Sequence, residues 1–72
     1  MPMINVQMLA GRTPDQKRAL IRELGEAAKR VLDVPDEALR IILTDVPADH
    51  WGVGTRSMAD VRAERATDEQ RP

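Results

Sequence analysis

The order strand, helix, strand constrains the fold of this chain more than any other feature of its sequence. Apolar and polar side chains alternate along residues 3–9, so that Ile4, Val6 and Met8 share one face, as in a half-buried strand. A second alternation covers residues 39–46. Two strands joined through a helix are parallel, with a right-handed crossover. We therefore predict a single βαβ unit, an α/β fold that some schemes class as α+β.

The connecting helix has recognisable start and stop signals. Thr13 is the predicted N-cap, Pro14 takes the first helical position, and Gln16 completes a capping box. The helix is expected to end near Leu32. Its predicted buried stripe consists of Leu20, Leu24, Ala27, Ala28 and Val31, with Ile21 and Leu32 at the margin. Gly25 interrupts this helix, and either a close approach to the sheet or chance would explain it.

The small size of the chain predicts self-association. A folded monomer of 72 residues buries only about 60% of the surface of its unfolded chain. The chain has no cysteine and one histidine, which excludes disulfides and thiolate sites and would require a structural zinc ion to take carboxylates for nearly all its ligands, so we do not expect one. Two strands and one helix cannot cover both faces of a sheet. We therefore expect another chain to cover the face that carries Ile42.

Charge and aromatic content argue against several classes of partner. The net charge is −1, and one Trp with no Phe or Tyr provides no set of platforms for stacking bases. No apolar stretch has the length of a membrane span or the pattern of a signal peptide. We predict no nucleic-acid partner, no membrane partner and a cytoplasmic location.

The last third of the chain has a different composition. Two glycines flank Val53, which predicts a turn or short hairpin in a loop that contacts a neighbouring subunit. Residues 58–61 are predicted to form a turn or an edge strand. We set the domain at residues 1–62 and expect residues 63–72 to be a polar, frayed tail.

The amino terminus carries the first candidate for chemistry. Cytosolic processing generally removes an initiator Met before a small residue, so the opening Met1-Pro2 predicts a free prolyl amine. Apolar surroundings and nearby cations lower the pKa of an amine, because both disfavour its ammonium form. A base poised near neutrality is what proton transfer at carbon requires. With Met1 in place, the Pro2 nitrogen would be a tertiary amide and no base.

Two arginines are candidates for anion binding. Arg12 follows the first strand, close to the helix N–H groups that favour an anion, although a solvated turn arginine is the alternative. Arg40 lies inside the second strand, where arginine is uncommon unless it forms an ion pair or has a functional role. A structural ion pair across a subunit interface is its alternative role. His50 is expected to be a structural hydrogen-bonder, and Trp51 an interface anchor or an apolar wall.

Taken together, these residues resemble 4-oxalocrotonate tautomerase and its small relatives in the tautomerase superfamily. The resemblance rests on Pro2 after the initiator Met, Gly11-Arg12, Asp15-Gln16-Lys17, Leu20-Ile21-Arg22-Glu23, Arg40 and His50-Trp51-Gly52-Val53-Gly54. It covers about residues 2–61. It implies a tautomerase fold, in which βαβ protomers pair into a four-stranded sheet with helices on one face. Three such dimers would form a homohexamer.

The resemblance also implies roles for the charged residues. Pro2 would be the base that moves a proton between carbons of a 2-hydroxydienoate or unsaturated 2-oxo acid, and then the acid that returns it. Arg40 of a neighbouring subunit would bind the 1-carboxylate and the 2-oxygen, where charge develops on enolisation. Arg12, also from a neighbour, would bind the distal carboxylate of a dicarboxylate substrate.

An apolar wall completes the site that the resemblance implies. Trp51 stands where the family has an aromatic residue, usually Phe, that keeps the site dry, and Leu9 and Val53 would extend this wall. No metal and no organic cofactor is implied. The chain departs from the best-known members at Thr55-Arg56, an arginine close enough to the site to change substrate preference. Hydrolytic dehalogenation, another chemistry of the superfamily, is expected as a trace activity at most, because Val53 and its neighbours supply no carboxylate to activate water.

Three functions follow as hypotheses. The first is an isomerase that acts on enols from aromatic-compound catabolism. The second is a non-catalytic assembly or ligand-binding subunit whose arginines hold interfaces. The third keeps the tautomerase chemistry but places it in natural-product biosynthesis, on a substrate with a single carboxylate.

Overall fold

A computed structural model describes residues 2–69, with side chains described as far as residue 66. Met1, whose removal the sequence predicts, and residues 70–72 lie outside the described residues. The elements are β1 (Met3–Leu9), α1 (Pro14–Leu32), β2 (Arg40–Val46), β3 (Gly52–Val53), β4 (Arg56–Ser57) and α2 (Met58–Glu69). Two short 3-10 turns, Asp36–Ala38 and Ala48–His50, lie before and after β2. The predicted βαβ unit is confirmed.

The two long strands form a parallel sheet. Their register pairs Met3 with Arg40 at one end and Leu9 with Val46 at the other. The side chains along each strand alternate between half-buried and exposed, as the sequence predicts. The second strand starts one residue later than predicted, because the N–H of Leu39 donates to the carbonyl of Asp36 (3.1 Å) and closes the 3-10 turn.

The ends of α1 follow the predicted capping chemistry. The Thr13 hydroxyl accepts from the Gln16 N–H (3.1 Å), and the Gln16 side chain accepts from the Thr13 N–H (3.0 Å). The helix ends at Asp33, which takes the left-handed conformation with φ 53°. A Cβ on Gly25 would lie 3.5 Å from Ile41 Cδ1, an ordinary contact, so the approach of helix to sheet does not require glycine.

Within residues 2–66, no side chain is fully buried. The radius of gyration is 17.0 Å, against about 11 Å for a compact chain of this length. Met3 is 59% exposed and Ile42 47% exposed on the sheet face opposite α1. Val31, predicted to be buried, is 75% exposed, because nothing in the protomer covers that end of the helix. The open sheet face confirms that one protomer cannot cover its own apolar surface.

The region after β4 corrects the sequence prediction. β3 and β4 form the predicted hairpin, with Gly54 at φ 65° in the turn. The turn or edge strand expected at residues 58–61 is instead the start of α2. The Ser57 hydroxyl accepts from the Asp60 N–H (3.2 Å), so it caps this helix. The helix continues to Glu69, so the described part of residues 63–72 is helical.

Neither a membrane span nor a metal cluster is found in the part of the chain that the structure describes. No helix there combines the length and apolar character needed to cross a bilayer. No group of three or more histidine, aspartate or glutamate side chains lies together in the same residues.

Candidate active site

Pro2 and Arg40 lie at the end of the sheet where both long strands begin. The backbone N–H of Arg40 donates to the Pro2 carbonyl (3.2 Å), so the parallel pairing itself places the two residues side by side. The Arg40 side chain lies on the open face with Met3, its register partner. That face is the one that another protomer must cover.

The Arg40 guanidinium has N–H donors that bond to no described residue. Its Nη1 donates to the carbonyls of Glu37 (2.8 Å) and Leu39 (3.0 Å), which fixes the group near the start of β2. Within residues 2–66, no carboxylate lies at ion-pair distance from this side chain. A guanidinium carries five N–H donors in a planar fork, so Nε and Nη2 remain available to bind an anion.

Arg12 lies at the opposite end of the sheet, between β1 and α1. Gly11, at φ 125°, lets the backbone turn from the strand toward the helix. Arg12 lines a cavity of about 330 Å³ together with Val6, Met8, Gln16, Lys17 and Leu20. Lys17 forms an ion pair with Asp45. Arg12 is therefore the cation of this cavity that has no carboxylate partner among the described residues.

The separation of these two ends decides how a site can form. β1 contains seven residues, so Pro2 before it and Arg12 after it are about 25 Å apart at 3.3 Å per residue. No arginine side chain spans that distance. If Pro2 and Arg12 act on one small substrate, they must come from different protomers, as the family resemblance implies.

The candidates for the apolar wall also lie toward the carboxyl ends of the strands. Leu9 is the last residue of β1, and Trp51 lies five residues beyond the end of β2. Trp51 is half-buried, and its carbonyl accepts from the Met58 N–H (2.7 Å), which joins it to the start of α2. Val53, in β3, is 51% exposed and available to a ligand or another subunit.

Glu64 is a partner that sequence reasoning missed. Its carboxylate pairs with Arg56 in the hairpin (Nη2 to Oε1, 2.6 Å), and this hydrogen bond raises the pKa of the Arg56 guanidinium. The sequence predicts a frayed tail at residues 63–72, so it indicates no partner for Arg56 there. The available signal was Ser57 followed three residues later by Asp60, a helix-start pattern.

Comparison with known proteins shows the family. The model for the family described as tautomerase enzyme matches residues 2–61. A 2-hydroxymuconate tautomerase of Pseudomonas putida is 46% identical over 54 residues, which are 75% of this chain and 86% of the relative. A probable tautomerase of Ralstonia nicotianae is 49% identical over 53 residues, 74% of this chain and 76% of the relative.

Solved structures agree with the sequence relatives. A 4-oxalocrotonate tautomerase homologue of the tomaymycin biosynthetic pathway matches with TM-score 0.82 and 44% identity, over 86% of this chain and 95% of its own. A heterohexamer 4-oxalocrotonate tautomerase from Chloroflexus aurantiacus matches with TM-score 0.79 and 44% identity, over 86% and 100%.

Fold and site together define an isomerase of the tautomerase fold, built on a βαβ protomer. The chain belongs to the 4-oxalocrotonate tautomerase family. The family resemblance seen in the sequence is confirmed, and so is the prediction of a tautomerase. The alternative of a non-catalytic subunit is set aside.

Proposed function

We propose that this tautomerase moves a proton between carbons of a 2-hydroxydienoate or unsaturated 2-oxo acid, with the amine of Pro2 as base and then acid. The similarity to 2-hydroxymuconate tautomerases supports this class of substrate. The observation that carries the proposal is that Arg12 and Arg40 both lack a carboxylate partner within residues 2–66. They are two cations suited to the two ends of a dicarboxylate.

In this scheme each group acts at a defined atom. The neutral Pro2 nitrogen takes a proton from the substrate and becomes a charged ammonium. It then gives a proton back at a different carbon, which shifts the double bond and regenerates the amine. The Arg40 guanidinium of a neighbouring protomer binds the 1-carboxylate and offsets the charge that develops on the 2-oxygen. Arg12 of another protomer holds the distal carboxylate through its planar fork.

The apolar wall has an electrostatic task. Trp51, Leu9 and Val53 of a neighbouring protomer exclude water around the prolyl amine, and a drier site disfavours the ammonium form. These surroundings favour the neutral amine that a general base requires. The cationic arginines favour the same neutral form.

We also propose that the active assembly is a homohexamer of three dimers. Each dimer would join two βαβ units in a four-stranded sheet with its helices on one face. The open sheet face supports this arrangement, because Met3 and Ile42 are exposed on it and no described residue covers them. A solved relative from Chloroflexus aurantiacus is a heterohexamer, so a sister chain is the competing composition.

A single comparison tests the proline mechanism. Protein whose mass shows that Met1 is absent is mixed with 2-hydroxymuconate, and its ultraviolet absorbance is followed beside that of Pro2→Ala. Removal of a general base lowers the rate about 10²- to 10⁴-fold, and size-exclusion chromatography of the variant should show the same assembly. Equal rates for the two proteins would refute Pro2 as the base.

A second candidate substrate is a monoacid of natural-product biosynthesis. The observation in its favour is the likeness to the tomaymycin-pathway homologue, at TM-score 0.82 and 44% identity. Kinetics on matched mono- and dicarboxylates separate the two. A higher kcat/KM on the monoacid would favour the biosynthetic role.

A further inference from the structure

The second half of α2 lies beyond the part of the chain that matches the family. The family model ends at residue 61, whereas α2 continues to Glu69. Glu64 is in this added part, on the second turn of the helix. Its carboxylate reaches back to Arg56, in the hairpin strand β4. The added turns therefore contact the segment that follows Trp51.

Three bonds join α2 to this segment. The Met58 N–H donates to the Trp51 carbonyl (2.7 Å), and the Ser57 hydroxyl accepts from the Asp60 N–H (3.2 Å). The third is the pair of Arg56 with Glu64, at 2.6 Å. The first two belong to the start of the helix, while the third is contributed by its added part.

The hairpin itself is short and partly exposed. Each of its strands contains two residues, its turn has Gly54 in the left-handed region, and Val53 is 51% exposed. Isolated two-stranded hairpins are marginally stable in water. A contact at β4 thus has a larger effect on the position of the hairpin than the same contact on a rigid helix.

We propose that Glu64 is a positioning residue, which acts through Arg56 to hold the hairpin, and with it Trp51, at the wall of the active site. The inference rests on the proposed function, in which Trp51 belongs to the apolar wall of the site, and a wall that excludes water from the amine also lines the bound substrate. It assigns to Arg56 the task of a tie to α2 and not that of a substrate ligand. Loosening the tie therefore impairs substrate binding, while Pro2 still transfers the proton.

The test uses full-length variants and a matched control. Glu64→Gln and Arg56→Gln each break the pair, the double variant completes a cycle, and the exchange Arg56→Glu with Glu64→Arg restores the pair with reversed polarity. The control is Glu23→Gln, which removes the same charge from an exposed pair with Arg22 on α1. All variants are compared in size-exclusion chromatography, so that a change of assembly is recognised.

Two measurements distinguish the effect of the Arg56–Glu64 pair on Trp51 from an effect on proton transfer. Trp51 is the one tryptophan of a chain without tyrosine, so protein fluorescence reports this residue alone. Its quenching by acrylamide is measured without substrate, at low and at high salt, because screening weakens an exposed ion pair. The second readout is KM and kcat for 2-hydroxymuconate.

We expect each single variant to make Trp51 easier to quench and to raise KM about two- to fivefold, with kcat changed less than about twofold, as an exposed pair allows. The double variant should match the single ones, the exchange should recover both readouts, and Glu23→Gln should behave as the wild type. High salt should bring the wild type toward Glu64→Gln in quenching.

Three outcomes would overturn the inference. Quenching of Glu64→Gln equal to that of the control would show that the pair does not hold Trp51. Altered quenching with unchanged KM would show that the tie does not serve the site. An exchange variant that recovers quenching but not KM would make Arg56 a substrate ligand. Absence of turnover by the wild type refutes the proposed function instead, and quenching then decides whether the tie exists.

Discussion

The two ends of the β1–β2 sheet carry different parts of the proposed chemistry. Where the strands begin, Pro2 supplies the amine of its own site, and Arg40 offers a guanidinium on the open sheet face to the site of a neighbouring protomer. Where β1 ends, Arg12 lines a cavity with both polar and apolar walls, and Leu9 is nearby in the chain. About 25 Å of strand separates the base from the distal cation. Each end holds an incomplete site.

This separation follows from parallel pairing. In a βαβ unit both strands begin at one edge of the sheet and end at the other, so a residue before β1 and a residue after it cannot meet. In the proposed dimer, a second protomer that runs in the opposite direction would bring the carboxyl ends of its strands beside the amino ends of the first protomer's strands. The proposed active site is therefore complete only when protomers assemble.

The largest effect should come from breaking the assembly that joins the two ends. Ile42→Asp places a carboxylate on the open apolar face, and burying it against another protomer without a partner costs several kcal/mol. We expect the assembly to dissociate and activity to fall to the level of Pro2→Ala. Light scattering and the 2-hydroxymuconate assay check this. Ala66→Asp, an equal charge on exposed α2, should leave both unchanged.

Substitution of Arg12 alone should affect only substrates that have a distal carboxylate. Arg12→Gln removes a charge-assisted pair with the distal carboxylate, so KM for 2-hydroxymuconate should rise about 10- to 100-fold. The KM for 2-hydroxypenta-2,4-dienoate, which lacks that carboxylate, should stay the same. An equal rise in KM for both substrates would show that Arg12 does not bind the distal carboxylate.

Mixing protomers that lack Pro2 with protomers that lack Arg12 should restore complete active sites. When Pro2→Ala and Arg12→Gln protomers are unfolded together and refolded, about a quarter of the sites combine an intact Pro2 with an intact Arg12 from another copy. Activity toward 2-hydroxymuconate should therefore rise well above that of either variant refolded alone. If both residues acted within one protomer, mixing would give only the average of the two variants.

The smallest effect should come from a substitution that lies outside both halves of the proposed active site. In Gly25→Ala the new methyl group would lie 3.5 Å from Ile41 and 3.7 Å from Leu39, both ordinary contacts. Removing a helix-interior glycine should raise the free energy of unfolding by up to about 1 kcal/mol. Thermal unfolding followed by circular dichroism measures this, with Ala19→Gly as the reverse change. A lower melting temperature for Gly25→Ala would mean that the helix has no room there.

Some elements were predictable because their signals are local. The Thr13 to Gln16 capping box, the alternation along β1 and β2 and the glycine turn of the hairpin depend on residues within a few positions of one another. The structure shows all of them where the sequence places them, with β2 starting one residue later. The second helix was missed because its apolar positions are few and its added part is polar. Its Ser57 cap was the stronger signal.

The sequence by itself determined the βαβ order, the family and the residue types suited to proton transfer and carboxylate binding. The tertiary structure decided which of them lie together: Pro2 beside Arg40, Arg12 at the far end, and Glu64 on Arg56. The physical reason is distance. Alternation and capping act over a few residues of chain, whereas the register of parallel strands and the packing of α2 join residues that are far apart in sequence.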